Sequence, residues 1–158
     1  MNSTQKVAKD SQQMAEMTAA AMFASDAASR GLDMQILSVA EGRATLSMCV
    51  GPFMLNGHQT CHGGYLFTLA DSAFAFACNS RNKVTVAAGC SIDFLAPGRE
   101  GDVITATATE QSLTGRTGIY DARLTNQNGQ VIALFRGKSH QLNGEVVPGL
   151  ILQQAATE

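Results

Sequence analysis

Asp71 is the residue whose surroundings are hardest to explain without chemistry. It lies within Gly63 to Cys78, GGYLFTLADSAFAFAC, a stretch apolar around nearly its whole circumference. A helix of that kind is normally buried rather than lying half in water. Burying an unpaired carboxylate is costly, so the group must be paired, protonated or used. Immediately upstream, Asn56 to Gly64 reads NGHQTCHGG, a polar, glycine-containing loop leading into the helix. A helix N-terminus offers N–H groups with no intrahelical acceptor. Together with a carboxylate further along, it is a place suited to acyl chemistry.

Spacing then constrains how such a site is built. Gly63 and Asp71 are eight residues apart, or roughly 12 Å along a helix axis at about 1.5 Å per residue. Attack and hydrogen-bond distances are only about 3 Å. One carbonyl therefore cannot be held by Gly63 and reached by Asp71 of the same chain. Two such helices packed antiparallel about a two-fold axis bring Gly63 of one near Asp71 of the other and create two equivalent sites. The expectation is a dimer with sites at its interface. Each residue also has a plain structural reading: Asp71 bonded to backbone amides or an arginine, Asn56-Gly57 an ordinary turn, His62 a helix cap, and Gly63-Gly64 present for close packing.

Other chemistries find less support. His58, Cys61 and His62 lie close together, but adjacent Cys61 and His62 are awkward co-ligands and no second ligand pair follows, so no metal site is expected. No phosphate loop or dinucleotide motif occurs, and no serine sits in a nucleophile elbow. A net charge of −2 gives no bulk positive field for nucleic acid. No run reaches the roughly 18 apolar residues of a membrane span. Lys6 and Lys9 ahead of Met17–Ala24 loosely imitate a signal peptide, but Asp10 and Glu16 interrupt it, so a helix over about 11–29 is expected. Cys49, Cys61, Cys78 and Cys90 show no paired spacing; thiols buried at Cys78 and Cys90, in a reducing compartment, are expected.

The elements that must position these residues are legible in outline. The chain has 158 residues, 45% hydrophobic and 15% charged, enough for one domain with a core and poor enough in charge that another subunit could cover part of its surface. Met34–Ala40 and Arg43–Val50 read as strands around a Glu41-Gly42 turn. The polar loop and long helix follow, ending near Asn79–Asn82. Four strands come next: Val84–Leu95, stopped by Pro97-Gly98; Val103–Glu110, alternating with period two; Gly118–Thr125, closed by an Asn126–Gly129 turn; and Val131–Gln141. One sheet wrapping one helix is the economical packing, an α+β fold with a largely antiparallel sheet. The expected division is an N-terminal helical segment over 1–30, the main domain over 31–142 and a loosely ordered tail over 143–158.

Asn56–Gly64, Leu66-Phe67 and Leu69-Ala70-Asp71 resemble the hotdog-fold acyl-CoA thioesterases, in particular their phenylacetate-degradation type. The similarity continues through Ala73–Ser80, Ser91–Gly98 and Ala133–His140 and covers about residues 20–142. The resemblance implies a hotdog fold, hydrolysis of phenylacetyl-CoA or ring-hydroxylated relatives without a cofactor, and a cytoplasmic dimer of dimers. It implies Asp71 as nucleophile or general base, the Gly63 N–H polarising the thioester, Asn56 orienting water or thioester, and His62 shaping the loop. Some relatives place Ser or Thr in the strand facing the acid, whereas here no hydroxyl lies between Thr85 and Ser91. For the CoA phosphates, Arg136, Lys138 and the turn residue Arg116 are candidates. Phe67, with Phe53, Met54, Leu55, Tyr65 and Phe74, is a candidate for an apolar acyl pocket or simply for the core. A 3-hydroxyacyl thioester dehydratase using His62 and a non-catalytic acyl-CoA sensor are the rivals.

Overall fold

The computed structural model describes residues 6–153; residues 1–5 and 154–158, which belong to the expected N-terminal segment and tail, lie outside the described residues. Three helices and eight strands follow in chain order. They are β1 (Lys6–Ala8), α1 (Ser11–Ser25), α2 (Ala27–Gly31), β2 (Gln35–Ala40), β3 (Arg43–Cys49), α3 (Gly63–Cys78), β4 (Thr85–Phe94), β5 (Val103–Thr114), β6 (Thr117–Thr125), β7 (Val131–Gln141) and β8 (Leu150–Leu152). A single 3-10 turn, Pro52–Met54, precedes the polar loop ahead of α3. Each helix start is set by a side chain that satisfies an orphan N–H. Asp10 accepts from Gln13 at 2.8 Å, Asp26 from Ser29 at 2.9 Å, and His62 from Gly64 at 3.0 Å.

Six strands form one antiparallel sheet in the order β2-β3-β5-β6-β7-β4. α3 lies across its inner face and touches every strand from β2 to β7. Leu66, Leu69, Ala70, Ala73, Phe74 and Ala77 are buried there against Leu46, Ile104, Ala106, Tyr120, Leu124 and Phe135. The core sits between helix and sheet because the inward residues of each strand alternate with outward ones. β5 shows this as expected: Ile104, Ala106 and Ala108 are buried and their neighbours are not. It runs four residues beyond Glu110, past a register shift between Glu110 and Ser112 that keeps it paired with β6.

Three expectations are corrected. α3 is not covered all round: Gly63, Phe67, Thr68, Asp71 and Ala75 remain only part-buried, along a stripe that the sheet does not reach. Cys90 is exposed in the single chain, as is Cys49, whereas Cys61 and Cys78 are buried. β4 is a sheet edge, and nearly all of it from Val86 to Ser91 is open. The tail is not loose as far as residue 153. β8 pairs in parallel with β1, Val147 and Leu150 are buried with Ala8 and Met14, and Asn82 bonds the Val147 N–H at 2.7 Å and the Val147 and Leu150 carbonyls. A pairing between two three-residue strands at opposite ends of the chain carries no periodic signal, so the sequence did not reveal it.

Candidate active site

The loop before α3 is held together by its own polar groups, which bond one another. Asn56 N–H donates to the Thr60 carbonyl at 2.8 Å, and the Asn56 Oδ1 accepts from the N–H groups of His58 at 2.9 Å and Thr60 at 3.3 Å and from the Thr60 hydroxyl at 3.2 Å. Its carbonyl end is therefore spent on the loop. The Asn56 Nδ2 donates to no described residue and is the end left to meet a substrate. His62 N–H donates to the Met54 carbonyl at 2.8 Å, and Nδ1 accepts from Gly64. That acceptor role places the proton of the neutral ring on Nε2. His62 thus caps the helix and shapes the loop.

Gly63 is the first residue of α3, and its N–H donates to no acceptor among the described residues. It lines a cleft of about 420 Å³ with Asn56, Thr60, Leu66 and the segment Phe94–Gly98. A free N–H at a helix start, next to a free amide NH₂, is a pair of donors suited to a developing oxyanion.

Asp71 does not line that cleft. It stands two turns along the helix with no hydrogen-bond partner among the described residues, and partial burial raises its pKa above the ordinary carboxylate value. Burial, and then the charge of Asp71, also raise the pKa of Cys90. Cys90 pairs with Gly137, a residue of the sheet's inner face, so Cys90 shares that face and looks toward the helix. The charge of Asp71 is thus felt at the β4 edge. A thiol, rather than a hydroxyl, is the side chain of β4 that shares its neighbourhood.

The structure thus brings Asn56, His62 and Gly63 together and holds Asp71 apart from them. The candidate cations lie elsewhere. Arg136 projects from the outer face of β7 and forms a bidentate pair with Asp121 at 2.6 and 2.7 Å. Lys138 alternates with buried neighbours on the same outer face. Arg116, in the β5–β6 turn, is bonded to Asn143. Arg136 lines an outer groove of about 770 Å³ with Arg43, Arg123, Ser91 and Asp93. Phe67 packs edge-on against Phe135 at 5.5 Å, Met54 and Phe74 are core, and Phe53 meets Tyr65 edge-on at 6.0 Å. None of these aromatics lines the Gly63 cleft; Phe94, with Leu95 and Pro97, does. The available signal was an apolar pair at a strand exit just ahead of Pro97-Gly98. Burial and the charge of Asp102 push the Cys61 thiol up to about 11.

The thioesterase superfamily model matches residues 58–133. Over 126 residues the chain is 51% identical to acyl-coenzyme A thioesterase PaaI of Escherichia coli, covering 80% of this chain and 90% of that protein. The solved structure of the E. coli PaaI protein from the phenylacetic acid degradation operon superposes with a TM-score of 0.85, at 48% identity, over 86% of this chain and 99% of that one. A mutant of the phenylacetic acid degradation protein PaaI from Thermus thermophilus superposes with a TM-score of 0.69, at 37% identity, over 72% of this chain and 97% of that one. With the six-stranded antiparallel sheet around α3, these matches show that the chain belongs to the thioesterase superfamily and has its hotdog fold.

Proposed function

We propose that the protein hydrolyses acyl-CoA thioesters, with phenylacetyl-CoA and ring-hydroxylated phenylacetyl-CoA as substrates, at two sites each shared between two chains. The observation that carries this reading is the division of polar groups within one chain. The cleft holds Asn56 and Gly63 without a base, while Asp71 stands unpartnered on the open stripe of α3. The free β4 edge supplies the symmetry element. A ten-residue strand with one unpaired side is a template for a second strand. Pairing two β4 edges about a two-fold axis sets the open stripes of two α3 helices against each other.

In that arrangement the thioester carbonyl lies on the Gly63 N–H and the Asn56 Nδ2 of one chain. Asp71 of the other chain attacks the carbonyl carbon or takes a proton from the water that does. The carbonyl π electrons move onto oxygen, where the donors and the helix dipole stabilise the negative charge. With water as the nucleophile, collapse expels the CoA thiolate and leaves the free acid. With Asp71 as the nucleophile, it expels the thiolate and leaves an acyl–Asp71 anhydride, which water then hydrolyses to the free acid and the regenerated carboxylate. Burial makes Asp71 a stronger base than a hydrated carboxylate. The names of the E. coli relatives support the acyl-CoA class and the link to phenylacetic acid degradation.

His62 is poorly placed for the dehydratase alternative, because its Nδ1 is occupied by the helix cap. For the CoA phosphates, the outer groove with Arg43, Arg123 and Arg136, flanked by Lys138, reaches β4 through Ser91 and Asp93 and so adjoins the pairing edge. Arg116 stands apart, at the β5–β6 turn. A tetramer of two such dimers and a cytoplasmic location are part of this reading. The four free thiols suit a reducing compartment, and among the described residues no helix is long and apolar enough to cross a membrane. The test is thiol release across aryl and alkyl acyl-CoAs, with sedimentation at the assay concentration. Turnover of phenylacetyl-CoA by a dimer or tetramer is expected. Full activity from a dilute monomer would refute the shared site.

A further inference from the structure

The wall of the cleft facing Asn56 contains no polar side chain: it is Phe94, Leu95, Ala96 and Pro97. It is also fixed in place. The N–H groups of Leu95 and Ala96 both donate to the Ile132 carbonyl, at 2.8 and 3.2 Å, and Cys61 N–H donates to the Gly98 carbonyl at 2.8 Å, which ties the wall to the loop before α3. The Phe94 ring comes down on Gly63. A Cβ at position 63 would stand 2.7 Å from Phe94 Cζ and 3.1 Å from both Cε1 and Cε2. The far edge of the ring therefore touches the backbone whose N–H is free, while 53% of the residue stays exposed. A phenylalanine that only filled this chain's own core would be covered; in the single chain this one keeps an open side next to the polarising donor.

We propose that Phe94 determines acyl-group specificity: its ring is the wall on which the aryl part of an aromatic acyl thioester packs while the carbonyl sits on the Gly63 N–H. The inference rests on the thioesterase reading above and names its substrate-selecting residue. The two halves of the substrate differ in what they need. The pantetheine arm carries two amides that must keep hydrogen-bond partners, and the side chains of this wall offer none. An aryl group has no such requirement and gains from an edge-to-face or offset contact with a second ring. The same ring keeps water from the Gly63 N–H, where a donor is worth most when dry. Gly63 is then required for more than its N–H, because any Cβ would push the ring aside.

The test compares Phe94→Leu and Phe94→Ala with wild type on phenylacetyl-CoA and octanoyl-CoA, two acyl groups of equal carbon number. We expect kcat/KM for phenylacetyl-CoA to fall roughly 10- to 100-fold, the range that apolar-pocket changes produce, and that for octanoyl-CoA to fall several-fold less. Equal losses on both substrates would place Phe94 against the CoA arm or in the fold and overturn the assignment, and so would an unchanged ratio. A wild type that releases thiol from no acyl-CoA would sink the thioesterase reading itself, and this proposal with it. The ring contact has its own check, independent of turnover. Gly63→Ala should lower the melting temperature, and that loss should shrink in the Phe94→Ala background. An equal loss in both backgrounds would contradict the contact.

Discussion

Around the C-terminal end of α3 the polar side chains are partnered, whereas from the loop before the helix to its middle the polar groups that matter have no partner among the described residues. Asn79 accepts from Thr85 N–H at 2.9 Å and donates to the carbonyls of Ala75 and Thr85, and Ser80 Oγ accepts from Gly42 N–H at 2.8 Å. Arg81 grips Glu110 through two bonds of 2.6 and 3.2 Å and reaches Glu41 at 2.9 Å, while Tyr120 donates to Glu110 at 2.7 Å. Before the helix and as far as its middle, the Gly63 N–H, the Asn56 Nδ2 and the Asp71 carboxylate have no partner among the described residues. Both regions place carboxylates against the same fold, with opposite results. The Arg81 hydrogen bonds, chiefly, hold Glu110 below its ordinary pKa, while desolvation raises that of Asp71. A partnered carboxylate stabilises the fold. An unpartnered one costs stability, and the proposed function is what gives Asp71 a use.

The largest effect that sharpens this contrast is on turnover. Asp71→Asn should lower kcat by about a thousandfold or more, since it removes the reacting base, and should leave the circular dichroism spectrum unchanged. Near wild-type hydrolysis would end the assignment. Next, Arg81→Ala should cost about 2 kcal/mol in urea unfolding, because it leaves Glu110 and Glu41 unpaired at a partly covered site. Its kcat/KM per folded protein should stay within a few-fold of wild type; a loss as large as that of Asp71→Asn would erase the division between the two ends. Tyr120→Phe should cost about 1 kcal/mol, one buried hydrogen bond, by the same measurement.

The smallest effect is in the pH dependence of stability, and its sign differs between the two ends. The folded-state pKa of Asp71 is raised, so its neutral form is favoured in the fold and ionisation costs stability as pH rises through that value. Asp71→Asn should therefore melt higher than wild type at neutral pH, with the advantage vanishing at pH below the unfolded carboxylate value. Glu110 is lowered, so its contribution is present above the unfolded value and lost as pH falls through the folded one. Arg81→Ala should accordingly lose its penalty in acid. Matching pH trends in the two variants would show that the carboxylates do not differ as described.

Much of this was legible in the sequence, for identifiable reasons. Period-two patterning in Val103–Glu110 and turn residues at Glu41-Gly42 and Asn126–Gly129 marked strands that lie within a few residues of where they were expected. The Gly63-to-Asp71 spacing implied separation on one helix, and the cleft confirms that one chain does not bring them together. What could not be read depended on register and on edges. Asp121 and Arg136 are opposite partners on β6 and β7 and form an ion pair in the single chain; strand order and register decide that. Cys90 looked buried because it lies in an apolar run, but β4 is an edge. Phe94 read as a strand residue, and only its seat on Gly63 sets it apart. The two ends of Asn56 have different fates that only the loop's hydrogen bonds reveal.

Subunit complementation tests the shared site most directly. Asn56→Asp keeps the Oδ1 that holds the loop and loses the NH₂ donors, and Asp71→Asn loses the base; each variant alone should be nearly inactive. Unfolded together and refolded as a mixture in equal amounts, they should regain about one quarter of wild-type activity, because half the dimers are mixed and each mixed dimer has one intact site of two. A mixture no more active than its components would show that Asn56 and Asp71 act within one chain and would contradict the account.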